Sequence, residues 1–192
     1  MRRLMCLTAL AASCALGAAE EKPFVAFVNV KGAVEAPVFA EAVTNFLPGV
    51  MQVRARLAEA MSVDVVGAMN PSRRDPSLPK AARLAVYFVK DPAFPPQLTA
   101  PGMFAVINVR NLEKGVDRKG FATRIRKMVL KGLAFACGFG ANQDVGRCVM
   151  GAGSFETLAG IDGTSASYSP FVAFPMSDYL MERGLVPEEP AF

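Results

Sequence analysis

RKGFATRIRKMVLKGLAFACGFGANQDVGRCVM, residues 118–150, decides the fold of this 192-residue chain. Phe121, Ile125, Met128, Val129, Leu133 and Ala136 recur at the three- and four-residue spacing that stacks apolar side chains on one face of an α-helix. Arg124, Lys127 and Lys131 fall on another face. Gly138-Phe139-Gly140 ends the helix, because glycine takes the positive φ that a C-cap needs without steric cost. A short loop then leads to Cys148-Val149-Met150.

Upstream of the helix stand two buried-type strand patterns, residues 83–90 (RLAVYFVK) and 103–109 (MFAVINV), joined by the proline-rich segment 91–101. Further upstream, residues 24–30 (FVAFVNV) read as another buried strand. Pro37 suits the first turn of a helix whose apolar face is Val38, Phe39, Ala42, Val43, Phe46 and Leu47, stopped by Pro48-Gly49. Residues 51–57 form a candidate strand with one wet face, since Arg54 and Arg56 alternate. Residues 58–69 fit helix or strand, and 70–80 (NPSRRDPSLPK) is a loop. Its Arg73 and Arg74 suit an anion, or simply solvent.

This layout resembles the active-site helix and Met-turn of the metzincin metalloproteases, and most closely the archaemetzincins. Their motif is His-Glu-x-x-His-x-x-Gly-x-x-His with a methionine turn downstream. With the motif glycine at Gly138, the first His falls on Lys131, the Glu on Gly132, the second His on Phe135 and the third on Ala141. Cys148-Val149-Met150 matches the Cys-x-Met of the archaemetzincin Met-turn. The cysteine that follows the third histidine there is Asn142 here, the later Cys-x-x-Cys pair is absent, and the spacing to Cys148 is one residue longer. The resemblance implies a kept scaffold and a lost chemistry. It also implies that the last strand before the helix is the antiparallel edge of the cleft. Residues 103–108, with Phe104, Val106 and Asn108, would then border a groove able to hold an extended peptide. Arg124, Lys127, Lys131 and Phe135 would sit on the former metal side, as an anion- or acidic-peptide-binding face. Otherwise the three cations form the solvated face of the helix and Phe135 packs in the core.

Composition bears on the chemistry directly. The chain has no histidine, so zinc held by imidazoles is excluded, as are Ser-His and Cys-His nucleophile systems. No metal or other cofactor is expected. The formal charge is +4, and without Arg2 and Arg3 it is +2, with 19 basic and 17 acidic residues. That balance, with no nucleic-acid-reading motif, gives no reason to expect nucleic-acid binding.

Residues 1–19 read as a secretory signal: Met1-Arg2-Arg3 is the charged start, Leu4 to Leu16 the apolar run, and Gly17-Ala18-Ala19 the small-residue cleavage site. The apolar run is short for a membrane span. The alternative is lipidation at Cys14, although alanine stands where a lipobox usually has leucine. The expected location is secreted or periplasmic. Removal of the signal leaves Cys137 and Cys148, which either form a disulfide in an oxidising compartment or are two buried thiols.

After Met150 the sequence is small and polar as far as Ser169, and Ser177 suits the cap of a short helix over 178–183 closed by Gly184. The expected fold is therefore α/β (α+β). One domain over 20–192 would have a mixed twisted sheet, an N-terminal helix and a long active-site-type helix (24–150), then an irregular part (151–192). The expected function is that of a catalytically silent archaemetzincin-like protein, a pseudo-metalloprotease that binds a peptide or protein. Two alternatives remain: a hydrolase using Asp144, Asp162 or Glu156 as paired carboxylates, and a structural envelope interaction protein.

Overall fold

A computed structural model describes residues 21–44, 53–63, 78–141, 147–151 and 155–187. The segment read as a signal, Cys14, Phe46, Leu47, Arg73, Arg74 and Asp144 lie outside the described residues. The elements in chain order are β1 (Phe24–Val30), α1 (Ala36–Thr44), β2 (Ala55–Ala60), β3 (Ala82–Val89), β4 (Gln97–Ala100) and β5 (Phe104–Asn108). They continue with α2 (Arg118–Ala136), α3 (Leu158–Gly163) and α4 (Pro170–Glu182).

The strands form one mixed sheet in the order β2-β1-β3-β5-β4. All neighbours are parallel except β4, which runs antiparallel to β5 along the edge. Every residue of β1 is buried, as a central strand covered on both faces requires, which is why its sequence is apolar apart from Asn29, whose amide is satisfied by Val34 and Glu59. Side chains alternate across the sheet. Phe27, Val86, Phe88, Ala105 and Ile107 face the helices, while Phe24, Val28, Tyr87, Phe104 and Val106 build a second cluster on the opposite face. Phe39 of α1 meets Phe88 edge to face, with ring centroids 5.0 Å apart.

The long helix forms as its pattern predicts. The Asp117 carboxylate caps it, accepting from the Gly120 N–H at 2.8 Å. At the other end Gly138 takes φ +96°. The Gly138 and Phe139 N–H groups then donate back to the Phe135 and Ala134 carbonyls, which makes a Schellman closure. Gly132 lets the helix lie hard on the sheet: a Cβ there would stand 2.5 Å from Val86 Cγ1 and 3.2 Å from Ile107 Cγ1.

Two expectations need correction. The antiparallel edge is β4, inside the proline-rich segment; the strand 104–108 is internal and parallel to β3. Pro95, Pro96 and Pro101 hid β4, because they flank its four residues without entering it. The region after Met150 is not irregular as a whole. Thr157 caps α3, accepting from the Gly160 N–H at 3.0 Å, and α4 begins at Pro170, well before Ser177. Proline at the start of α4 is favourable, while Pro175 inside it obscured the helical pattern. Gly184 does follow the helix, at φ +64°.

Candidate functional site

Between the β4 edge, the end of β5, the middle of α2 and the start of α3 lies a cavity of about 310 Å3, lined by Gln97, Ile107, Asn108, Met128, Lys131, Phe155, Glu156 and Ile161 among others. Lys131 is central to it and is only 6% exposed. Its Nζ sits 3.9 Å from the centre of the Phe155 ring and 5.4 Å from that of Phe135. Phe135 is four residues on along the helix, so both side chains leave the same face. Burial pushes the Lys131 ammonium down to about 8, and the charge of Glu156 only partly opposes this. No ion pair or hydrogen bond holds Nζ among the described residues.

The other two cations differ. Arg124 and Lys127 are 3% and 5% exposed, so the three do not form a solvated face. The Arg124 guanidinium donates to both Asp162 oxygens (2.8 and 2.6 Å) and to the Leu112 and Lys114 carbonyls (2.6 and 2.8 Å). This pairing raises Arg124 and holds the Asp162 carboxyl below its ordinary value. Lys127 Nζ donates to the Ile161 and Asp162 carbonyls at 2.7 and 3.2 Å. Burial lowers it, Asp162 pulls it back up and Arg124 pushes it down. These two side chains staple α3 and the loop after β5 onto α2. With both carboxylate oxygens engaged, Asp162 is a poor proton donor for a hydrolase.

The remaining predicted residues are dispersed. Phe104 and Val106 are buried on the sheet face away from α2, because side chains alternate and Ala105 and Ile107 take the helix side. Asn108 reaches the cavity, but its amide donates to the Asp91 and Phe94 carbonyls and its oxygen accepts from the Arg110 N–H. It is a staple of the neighbouring loop. Ala141 is exposed beyond the end of the helix. Cys137 and Cys148 are both buried free thiols, not a disulfide. The Cys148 sulfur accepts from the Met150 N–H inside its own tight turn (3.4 Å), and burial raises Cys137 to about 12. Met150 is fully buried in the same core.

A zinc ion does not suit this place. Lys131 offers an ammonium, Phe135 and Ala141 offer no donor, and Gly132 points at Val86 and Ile107 with no room for a carboxylate. No group of three or more His, Cys, Asp or Glu residues that could hold a metal occurs among the described residues.

Sequence reasoning missed Phe155, Gln97 and Thr99, and it named Glu156 only as a candidate catalytic carboxylate, not as a neighbour of Lys131. Pro96 O accepts from the Asn108 N–H, and the register pairs Leu98 with Val106 and Ala100 with Phe104. The backbone groups of the intervening Gln97 and Thr99 therefore point out of the sheet along its open edge. The signals available were the threonine cap beyond Phe155-Glu156 and the β-type threonine between the prolines.

Neither a protein-family model nor a curated protein matches the chain. Solved structures do. Archaemetzincin from Methanopyrus kandleri superposes with a TM-score of 0.61 at 14% identity, over 83% of this chain and 96% of that one. A zinc-dependent peptidase from Methanocorpusculum labreanum (strain Z) gives 0.52 at 12% identity, over 79% of this chain and 99% of that one. The fold is archaemetzincin-like.

Proposed function

We propose that this is an exported, catalytically silent protein on an archaemetzincin-like scaffold, which holds an extended peptide along β4 instead of cleaving it. In this reading Cys148-Val149-Met150 is a relic Met-turn, and Lys131, Gly132, Phe135 and Ala141 stand where a peptidase carries its zinc ligands and base. The observation that carries the reading is the open β4 edge. Its outward backbone groups at Gln97 and Thr99 form a line that ends, at Gln97, on a cavity whose lining has no nucleophile–base pair and no zinc donor set. Strand addition needs only backbone partners, so it outlives the chemistry.

The test is hydrogen exchange resolved by NMR on residues 20–192, with an arrayed set of acetylated hexapeptides. Binding should protect the Gln97 and Thr99 amides, and Thr99→Pro should abolish it, because proline removes an outward donor without touching the β5 ladder. Stoichiometric zinc in the purified protein, or protection elsewhere with Thr99→Pro binding normally, sinks the reading. Export is checked separately, by an N-terminus at Glu20 on protein recovered outside the cytoplasm.

A further inference from the structure

We propose that Lys131 makes the cavity a carboxylate-recognition site, so that the peptide held on β4 ends there with its free C-terminal carboxylate. The inference rests on the peptide reading for the source of the carboxylate, but not for the site itself.

Three observations on the molecule lead to it. First, Arg124, Lys127 and Lys131 are all buried on one helix, yet among the described residues only the first two have oxygen acceptors; Lys131 has two phenyl faces. A ring face attracts an ammonium but accepts none of its three N–H bonds as well as an oxygen does. Secondly, that ammonium lines open space of about 310 Å3, large enough for a chain terminus. The charged groups facing this space are Glu156, before α3, and Arg110, after β5; Glu156 forms no ion pair with Lys131. Thirdly, direction matters. A peptide antiparallel to β4 starts beside Ala100 and finishes beside Gln97, and Gln97 lines the same cavity as Lys131. The C-terminus, not the N-terminus, arrives at the ammonium. A carboxylate there gains charge-assisted hydrogen bonds in a partly desolvated place, where they are strongest. Burial lowers the affinity of Lys131 for its proton, and an anion beside Nζ would oppose that shift.

The experiment uses residues 20–192 carrying 13C-labelled lysine side chains. Lys131 is followed by NMR while acetate, N-acetylglycine and the hexapeptides are titrated in. Each hexapeptide is made as acid, as amide, and as amide with one internal aspartate. Carboxylate binding should raise the Lys131 titration midpoint. Acid affinity should fall about tenfold between pH 7 and pH 9, as the ammonium is lost. Acids should bind at least tenfold more tightly than amides at pH 7, and Lys131→Met should bring that ratio to about one while amides bind as before. Equal binding of acid and amide by the native protein overturns the inference and leaves the peptide reading intact. A Lys131 response to acetate and N-acetylglycine with no peptide binding upholds the carboxylate site and removes the peptide reading. No response of Lys131 to any carboxylate overturns the site, and this arm needs no variant to fold. Preference for the internal aspartate over the terminal acid overturns the assignment of the chain end.

Discussion

Replacing Lys131 by methionine should make the protein more stable at neutral pH, and the gain should vanish as the solution becomes alkaline. The folded chain holds the Lys131 ammonium at about 8, against roughly 10.4 in an unfolded chain. A lysine depressed in this way destabilises the fold while protonated. Between those two values the unfolded state binds the extra proton, so stability rises with pH and the penalty is gone above the upper one. Taken at face value the gap is worth about 3 kcal/mol at pH 7. Water entering the cavity screens Nζ, and the Phe155 ring 3.9 Å away favours the charged form by about 1 kcal/mol. About 1–2 kcal/mol remains. Methionine fills similar space without a charge. The measurement is urea denaturation of native and Lys131→Met protein at pH 7, 8, 9 and 10, read as the difference between the two. The difference is needed because Cys137, held at about 12, acts in the opposite sense: above about pH 8.5 the unfolded thiol loses its proton while the folded one keeps it. A methionine variant less stable at pH 7, by an amount that pH does not change, would refute the reasoning. The ammonium would then be well compensated in the free protein, and the carboxylate site would lose its physical basis.

Four other outcomes are expected. Asp162→Ala leaves the Arg124 guanidinium buried with only the Leu112 and Lys114 carbonyls, and should cost about 2–3 kcal/mol in denaturant titrations, less than a fully buried pair because Asp162 is half-exposed. The Asp162 contribution is present above about pH 4 and fades as pH drops through its lowered folded value, so the variant should show a flatter acid limb. Gly132→Ala should destabilise by about 1 kcal/mol in thermal melts: overpacking against Val86 costs about 2 kcal/mol and the helix preference of alanine returns about 1 kcal/mol. Gly163→Ala, whose added methyl meets open space, should be neutral or stabilising by a few tenths. A chromogenic thiol reagent should find two thiols in denatured 20–192 and essentially none in the native protein within minutes, since Cys137 and Cys148 are free and buried.

Much of the scaffold was readable because it is written in apolar periodicity. The short apolar runs of β1 and β3, rich in β-branched and aromatic residues and interrupted only by Asn29 and Arg83, read as covered strands, and the 3.6-residue stripe from Phe121 to Ala136 reads as a long helix ending at Gly138. What stayed illegible depends on partners distant in sequence. Nothing local distinguishes Arg124, which finds Asp162 38 residues away, from an ordinary solvated arginine. Nothing local shows that Phe155 will cover Lys131. The four residues of β4 are too few to carry a period, and prolines surround them. Parity misplaced Phe104 and Val106: a strand buried on both faces gives no clue in sequence to which alternate set meets the helix.

The close seat of α2 on the sheet has a consequence for anyone hoping to build a metalloprotease on this frame. Writing histidines at 131 and 135 would place two imidazoles one helical turn apart, but the metzincin motif laid on this chain puts its glutamate at 132, where even one carbon collides with Val86. To admit a glutamate the whole helix must ride higher, and in rising it pulls against the Gly102 N–H bond to the Ala136 carbonyl and the Arg124 staple to α3. A carboxylate at 132 is barred by the spacing of two layers, and that spacing is shared by every residue that packs between them.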